Sequence, residues 1–197
     1  MDHCSPTTEH LVEVERSTFF NTVKPFDSSD HIQGRMLSFI SKIIGPRLVV
    51  EIGTFSGYGT LCLCEGLCKD GKIITIEHDQ QKIELIEHHL KATDSHIEVL
   101  NNSAMDVLPN IMDPIDLVFV DAAKKEYAAY YDILIPKMKK GAVMIVDNVL
   151  WKGEVIKTPK SKIALALDDF NQKVAADSRV DVVLLPYRDG LSMIRKK

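Results

Sequence analysis

Residues 48–59, LVVEIGTFSGYG, decide the fold of this chain, because an apolar run passes through a glycine-rich turn into a helical pattern. A buried parallel strand reads as a nearly continuous apolar run. Glycines permit the sharp turn and the close approach of a ligand to the backbone. Ser56 can cap the helix that follows, and the N-terminus of that helix favours anionic ligand atoms. The stretch therefore predicts a strand, a ligand-binding turn and a helix.

From Leu48 onward, short apolar runs alternate with longer helical stretches, which is typical of βαβ units. Parallel strands are predicted at residues 48–52, 72–77, 96–100, 115–121 and 141–147. Helices are predicted at residues 57–69, 80–92, 104–111, 124–139 and 161–176, and Pro136 argues that the helix over 124–139 ends early or kinks. Near the C-terminus, apolar runs at 180–185 and 191–194 flank an Asp-Gly turn and predict an antiparallel hairpin.

Two amphipathic helices are predicted before this alternating region, at residues 7–21 and 28–44, with a break at 24–27. The pattern as a whole predicts an α/β fold with a seven-stranded, mostly parallel sheet, a C-terminal antiparallel hairpin and helices on both faces. The length suits a single domain over residues 1–197. Its parts are the N-terminal helices over 1–46 and a Rossmann-like core over 47–197.

Composition places the chain among ordinary globular proteins, with 45% hydrophobic and 26% charged residues. The formal net charge of −4 argues against a nucleic-acid partner. No apolar run in the first thirty residues is long enough for a signal segment or a membrane span, so a cytoplasmic protein without a membrane partner is expected. Cysteines 4, 62, 64 and 68 are expected to be reduced thiols, three of them on one predicted helix.

Two strands end in acidic residues: one runs into Asp121 and another into Asp147-Asn148. In open α/β sheets, ligands bind beyond the carboxyl ends of the strands. Two carboxylates and an amide there predict an oxygen-ligand site for a hard cation such as Mg²⁺, with about three positions left for water and substrate. Lys124, three residues after Asp121, is a candidate general base beside that cation.

The glycine-rich turn differs from the dinucleotide fingerprint, because Gly53 and Gly57 are four residues apart and Glu51 precedes them. Glu77 ends the second predicted strand and can accept both hydroxyl protons of a ribose. Ala104 follows the third strand, where a small residue leaves room for an adenine plane. Asp79 is expected to cap the next helix.

Each of these residues also has an ordinary structural explanation. Strand-end acids often cap helices, and Lys124 stands beside Lys125 in a segment that suits an exposed helix. The set is more informative than its members, because all of them fall at predicted strand ends or in the turns that follow. The pattern therefore favours a ligand site built at one edge of the sheet.

These residues resemble the small class I S-adenosylmethionine-dependent O-methyltransferases that include the caffeoyl-CoA and catechol O-methyltransferases. The resemblance extends from about His31 to the C-terminus, and four motifs carry it, at residues 51–58, 120–127, 147–153 and 186–190. The family's Asp-Ala-Asp-Lys stands here as Asp121-Ala-Ala-Lys124. The N-terminus is shorter than in the plant enzymes, and the loop that shapes their acyl-CoA pocket has no clear counterpart.

The resemblance implies a role for each candidate residue. The implied S-adenosylmethionine contacts are Glu51, Gly53, Thr54, Ser56, Tyr58, Glu77, Ala104 and Asp121. The implied ligands of a divalent cation, Mg²⁺ or alternatively Ca²⁺ or Mn²⁺, are Asp121, Asp147 and Asn148, with Lys124 as the base. Trp151 and Tyr58 are candidates to frame a planar acceptor, and Arg188 is a candidate to meet an acidic substrate tail. Together with the N-terminal helices, the resemblance also implies a homodimer.

The implied reaction is methyl transfer from S-adenosylmethionine to a hydroxyl of a catechol-like or hydroxycinnamoyl-type phenolic. Three alternatives stay open at this point. One is an NAD-dependent oxidoreductase on a Rossmann-like fold. Another is a methyltransferase acting on amino groups of nucleic acid or protein, which would often carry a Pro-Pro-aromatic motif after the fourth strand, where Asp121-Ala-Ala stands instead. The third is an S-adenosylmethionine-binding protein without catalytic activity.

Overall fold

The computed structural model describes residues 3–23, 25 and 28–197. The described chain divides into two compact units, Met1–Ser103 and Ala104–Lys197. The predicted break at 24–27 falls mostly on positions outside the described residues. In the described part of the chain, no helix is both long enough and apolar enough to cross a membrane.

The first unit holds three parallel strands in the order β3-β2-β1. Its elements, in chain order, are α1 (Glu9–Asn21), α2 (His31–Ile44), β1 (Leu48–Ile52), α3 (Tyr58–Cys64), β2 (Lys72–Glu77), α4 (Ile83–Leu90) and β3 (His96–Asn101). All five residues of β1 are buried, as the continuous apolar run predicts for a strand covered on both faces.

The second unit holds four strands in the order β4-β5-β7-β6. Its elements are α5 (Ala104–Val107), β4 (Ile115–Val120), α6 (Tyr127–Leu134), β5 (Met138–Asp147), α7 (Lys162–Ala176), β6 (Val180–Leu185) and β7 (Leu191–Lys196). Strands β4 and β5 are parallel, whereas β7 is antiparallel to both β5 and β6. The predicted C-terminal hairpin is therefore confirmed.

Seven strands in these two orders confirm the predicted α/β class and strand count. The sequence analysis predicts a single domain with a helical segment over 1–46 and a core over 47–197, and this division stays a prediction. The buried residues of the strands, such as Val49, Val118 and Ile145, form the interior of their respective units.

Helix ends differ most from the sequence prediction, and local chemistry explains the differences. Helix α2 begins three residues later than predicted, because Asp30 caps it by accepting the Gln33 N–H at 2.8 Å. Asp79 accepts the Gln81 N–H, which confirms its predicted capping role, although it caps a 3₁₀ turn over Gln80–Lys82 rather than α4 itself. Pro136 lies in a further 3₁₀ turn after α6, so this helix ends at Leu134.

Helix α3 ends at Cys64, five residues earlier than predicted, so Cys68 lies outside it and the prediction of three cysteines on one helix is wrong. Gly66 explains the early end, because it lies directly against the backbone of α2. An ideal Cβ at Gly66 would be 2.1 Å from the Ser41 carbonyl carbon and 2.3 Å from the Lys42 nitrogen. The chain therefore turns at a residue that lets two backbones approach closely.

Replacing Gly66 by alanine should destabilise the first unit strongly, because the new methyl group can be placed only by moving the backbone of α2. We expect the Gly66→Ala variant to lose about 3 kcal/mol of unfolding free energy in urea titrations. Gly45→Ala is the matched control: a Cβ there meets nothing within 4 Å, and its φ of +59° leaves only backbone strain of about 1 kcal/mol. Equal losses in the two variants would contradict the close approach at Gly66.

Candidate functional site

The turn after β1 is held in an unusual backbone conformation. Three of its residues have positive φ: Gly53 at 94°, Phe55 at 55° and Gly57 at 85°. For Phe55, which has a side chain, this conformation costs about 1–2 kcal/mol. The Phe55 N–H donates to Glu77 Oε2 at 2.9 Å, and the Gly53 N–H donates to the Ile76 carbonyl at 2.9 Å. The end of β2 therefore fixes the turn, and strain of this kind is common at ligand-binding sites.

Ser56 has an unpaired hydroxyl inside this turn. The residue is 1% exposed, and its Oγ has no hydrogen-bond partner among the described residues. The predicted capping role is wrong, because Gly57 occupies the cap position of α3 and Ser56 lies one residue too early. A buried hydroxyl without a partner costs about 1–3 kcal/mol, so a bound ligand that reaches it would recover that cost.

Glu77 is also buried, and both its carboxylate oxygens have fixed directions. Oε2 accepts the Phe55 N–H, and Oε1 accepts the Asp79 N–H at 3.0 Å. The Lys82 ammonium lies farther away, at 3.7 Å from Oε1. Backbone donors thus hold the carboxylate at the end of β2, in an orientation that suits acceptance of two neighbouring hydroxyl protons.

Glu51 lies at the end of β1, buried behind the turn. It accepts hydrogen bonds from the hydroxyls of Thr60 and Thr75, the latter at 2.6 Å. The Thr54 hydroxyl also bonds to Thr75, at 2.6 Å. The structure therefore brings two predicted cofactor residues, Glu51 and Thr54, into one buried network that supports the turn.

Tyr58 lies in the packing of α3 against α2. Its ring is buried beside Gly34, where an ideal Cβ would be 2.6 Å from Tyr58 Cε1. Burial raises the pKa of the phenol above its ordinary value. The phenol oxygen has no partner among the described residues. The side chain thus belongs to a helix contact, and no described contact supports its predicted place beside an aromatic acceptor.

In the second unit, Asp121 and Asp147 leave neighbouring strands at the same level. Val120 of β4 is paired with Val146 of β5, and each aspartate is the next residue along its strand. Neighbouring strands are about 4.8 Å apart, so the two carboxylates start from closely spaced backbone positions. Nearby carboxylates destabilise each other's charge unless a cation neutralises them. This donor set therefore fits a hard cation.

Asn148 supplies the third predicted oxygen ligand, from a strained loop. Its φ is +60°, and Trp151, Lys152 and Gly153 also have positive φ. The Asn148 N–H donates to Asp147 Oδ1 at 2.7 Å. Among the described residues, no group of three or more histidine, cysteine, aspartate or glutamate residues could hold a metal ion. A cation at Asp121 and Asp147 would therefore depend on a neutral oxygen such as the Asn148 amide.

The hairpin turn between β6 and β7 holds this loop from outside. The Val149 N–H donates to the Gly190 carbonyl at 3.1 Å, and the Leu150 N–H donates to the Asp189 carbonyl at 2.9 Å. An ideal Cβ at Gly190 would lie 2.4 Å from Leu150 Cγ, so a residue without a side chain is needed at this contact. The Asp-Gly of the fourth sequence motif thus positions the loop that carries Asn148.

Lys124 reaches the first of these acids directly. Its Nζ lies 2.5 Å from Asp121 Oδ1, and the same ammonium is 5.7 Å from the ring centroid of Tyr127. Both charged side chains are largely buried. The structure therefore brings the predicted base and a predicted metal ligand together as an ion pair.

The remaining candidates lie separately in the second unit. Ala104 is buried at the start of α5, Trp151 is half-buried in the strained loop, and Arg188 is exposed in the hairpin turn with a φ of +49°. No hydrogen bond described for Trp151 involves its side chain. These positions leave the adenine and acceptor roles as predictions.

Sequence reasoning missed two supporting residues. The Tyr127 hydroxyl donates to the Asp147 carbonyl at 3.0 Å, and burial raises the pKa of this phenol well above its ordinary value. His89 of α4 lies with Nδ1 2.8 Å from the Ser56 carbonyl. A histidine next to apolar Leu90 on a predicted amphipathic helix is a signal that could have indicated a buried imidazole.

Comparisons with known proteins match all or most of the chain. The O-methyltransferase family model matches residues 1–197. Caffeoyl-CoA O-methyltransferase of Stellaria longipes is 28% identical over 96% of this chain and 84% of its own length. Caffeoyl-CoA O-methyltransferase 1 of Nicotiana tabacum is 34% identical over 83% of this chain and 75% of its own length.

Solved structures agree with this result. The O-methyltransferase from Bacillus cereus in complex with S-adenosylhomocysteine superimposes with a TM-score of 0.93 at 28% identity, covering 100% of this chain and 94% of that one. A Podospora anserina methyltransferase bound to S-adenosylhomocysteine gives a TM-score of 0.92 at 26% identity, covering 100% of this chain and 91% of that one. The predicted Rossmann-like methyltransferase fold is therefore confirmed.

The hydroxyl of Thr75 should be more important to stability than its methyl group, because it bonds to both Glu51 and Thr54. We expect Thr75→Val to lower the free energy of unfolding by about 2–3 kcal/mol, since a buried carboxylate loses a donor. Thr75→Ser keeps the hydroxyl and should lose only about 1 kcal/mol. Urea unfolding of both variants measures this, and a serine variant less stable than the valine variant would contradict the network.

Proposed function

The chain belongs to the O-methyltransferase family, and from this premise we propose that it methylates a hydroxyl of a small phenolic acceptor held through a divalent cation. Membership in this family makes it an S-adenosylmethionine-dependent O-methyltransferase and decides against the oxidoreductase and amino-group methyltransferase alternatives. The observation that carries the finer proposal is the emergence of Asp121 and Asp147 from paired positions of adjacent strands, with Lys124 bonded to the first.

The donor is assigned to the turn of the first unit. Bound S-adenosylmethionine supplies an electrophilic methyl group on a sulfonium. The unpaired Ser56 hydroxyl and the preoriented Glu77 carboxylate fit such a ligand, Glu77 as acceptor for the ribose hydroxyls. Glu51, Gly53 and Thr54 shape the turn for its methionine part. Tyr58, Ala104 and Asp121 are assigned to this site through the family resemblance.

The cation is assigned to Asp121, Asp147 and Asn148. A bound Mg²⁺, or Ca²⁺ or Mn²⁺ in its place, supplies Lewis acidity that lowers the pKa of a coordinated hydroxyl. Three oxygen donors leave room for two adjacent hydroxyls of a catechol. Tyr127 supports this set by bonding to the Asp147 carbonyl, and the hairpin turn supports it by holding the loop of Asn148.

Lys124 is assigned the proton transfer. In the described state its ammonium neutralises Asp121. Lying beside this proposed metal ligand, Lys124 would accept the proton of the acceptor hydroxyl as a general base. S-adenosylmethionine held by the turn residues would supply the methyl group to this oxygen, with S-adenosylhomocysteine as the other product. Trp151 is assigned to pack against the acceptor ring, and Arg188 to meet an acidic tail where the acceptor has one.

Labelled S-adenosylmethionine and a panel of catechols and hydroxycinnamates test this proposal. We expect methylation that needs added Mg²⁺ and stops with EDTA. Lys124→Met should lower kcat by at least about 100-fold while S-adenosylhomocysteine affinity stays within about twofold, since only proton transfer is lost. Lys125→Met, the exposed neighbour, is the control and should keep full activity.

The outcomes separate the parts of the proposal. Turnover unchanged by EDTA would exclude the cation role, and a fully active Lys124→Met variant would exclude the base. A protein that binds S-adenosylhomocysteine but methylates nothing in the panel would be the cofactor-binding protein without activity.

We also propose a homodimer through the N-terminal helices. On α2, Ile32, Phe39 and Ile43 lie on one helix face, and Phe39 and Ile43 are 66% and 70% exposed. Helix α1 adds exposed Phe19 and Phe20. Apolar patches of this kind mark interaction surfaces. A second copy related by a twofold axis would bury the same patch on both chains.

A Phe39→Lys/Ile43→Lys double variant tests the dimer, because two buried ammonium groups would oppose association. We expect the wild type to be a dimer at about 10 µM in light scattering and the variant a monomer with the same circular dichroism. Val183→Lys, at an exposed apolar position of β6, is the control and should stay dimeric. A monomeric wild type would rule out this interface.

A further inference from the structure

His89 of α4 connects two elements of the first unit that are far apart in sequence. The residue is 3% exposed, although its neighbour His88 is exposed. Its Nδ1 lies 2.8 Å from the Ser56 carbonyl oxygen, and its Nε2 lies 2.8 Å from Ser17 Oγ. One imidazole therefore bridges the turn after β1 and helix α1.

The two partners fix the protonation of this ring. A carbonyl oxygen only accepts, so Nδ1 carries the hydrogen and donates to Ser56. In a neutral imidazole Nε2 then accepts, and the Ser17 hydroxyl is its donor. Burial lowers the pKa of His89, as do His88 and His10, while the bond to the Ser56 carbonyl opposes that shift. The neutral ring with one donor and one acceptor matches both contacts.

At the turn, His89 restrains a segment that is strained and that carries an unpaired group. Ser56 lies between Phe55 and Gly57, both with positive φ, and its hydroxyl has no partner among the described residues. A strained backbone conformation of this kind persists only when surrounding contacts hold it in place. The bond from His89 to the Ser56 carbonyl is such a contact, on the same residue whose hydroxyl is assigned to the donor.

Residues on one face of α1 contact His89. His10 Nε2 lies 3.1 Å from the His89 carbonyl oxygen, and Ser17 reaches the ring. Val14 lies between them on the same face and is buried. The 13-residue helix buries only Leu11, Val14 and Thr18. A helix of this length is marginally stable alone, so a few docking contacts decide whether it stays folded against the unit.

We propose that His89 is a positioning residue that couples the docking of α1 to the conformation of the donor-binding turn. This inference rests on the proposed donor site. A ligand that fixes the turn then favours docked α1, and docked α1 favours ligand binding by the same factor. The path of this coupling runs from the Ser17 hydroxyl through the His89 ring to the Ser56 backbone carbonyl.

Hydrogen exchange and calorimetry on the full chain test the coupling, with S-adenosylhomocysteine as the probe. Ser17→Ala removes the hydrogen bond between α1 and the His89 ring without altering the buried ring itself. We expect faster amide exchange over residues 9–21 in the ligand-free variant and about threefold weaker S-adenosylhomocysteine binding. His89→Leu removes both contacts and should weaken binding by about tenfold. His88→Leu, the exposed neighbour, is the control and should match the wild type.

Steady-state kinetics distinguish positioning from general damage. In Ser17→Ala, the KM for S-adenosylmethionine should rise while kcat is unchanged. Bound S-adenosylhomocysteine should slow amide exchange in α1 less in this variant than in the wild type. A Ser17→Ala variant with wild-type affinity and a wild-type exchange response would overturn the coupling. A wild-type protein that bound no S-adenosylhomocysteine would instead overturn the proposed donor site, and the coupling with it.

Discussion

The arrangement of the second unit depends on one constraint: two carboxylates, at the ends of adjacent strands, must be held close together. The pairing of Val120 with Val146 brings Asp121 and Asp147 to the same level, and parallel strands offer no way to separate them. Carboxylates that follow paired strand positions disfavour each other's charge unless a cation neutralises one of them. In the described state the Lys124 ammonium meets Asp121, and the other parts of the unit hold Asp147 and its loop in place.

The turn of the first unit and the loop of the second share one physical design. In each, non-glycine residues adopt positive φ, Phe55 in the turn and Asn148, Trp151 and Lys152 in the loop. In each, hydrogen bonds from a distant segment hold the strained backbone. Glu77 and His89 hold the turn, and the hairpin holds the loop. The strain is thus maintained by tertiary contacts, and the local sequence does not encode it.

Features that depend on the local sequence could be predicted, whereas features that depend on these tertiary contacts could not. The strands were predictable because buried parallel strands are continuous apolar runs, and the acids were predictable because they end those runs. The position of Ser56 in the sequence predicts a capping role, whereas Gly57 takes the cap position in a left-handed conformation and the helix begins one residue later. The amphipathic pattern can indicate that His89 is buried, but the partners of Tyr127 and His89 are backbone carbonyls 20 and 33 residues away, which no local pattern identifies. The early end of α3 followed from a backbone contact at Gly66 that only the packing of α2 creates.

The buried acids of the two units differ in what their neighbours do to their charge. Glu77 receives backbone N–H groups, and the donors described for Glu51 include two threonine hydroxyls. Such neutral donors stabilise a carboxylate without cancelling its charge, and the Lys82 ammonium lies 3.7 Å from Glu77 Oε1, farther than Lys124 lies from Asp121. Asp121 is paired with an ammonium at 2.5 Å, so its charge is already neutralised. Under the proposed mechanism, a metal ion at Asp121 would take the place of this ammonium and leave Lys124 to act as the base, so we infer that proton transfer would depend on metal binding.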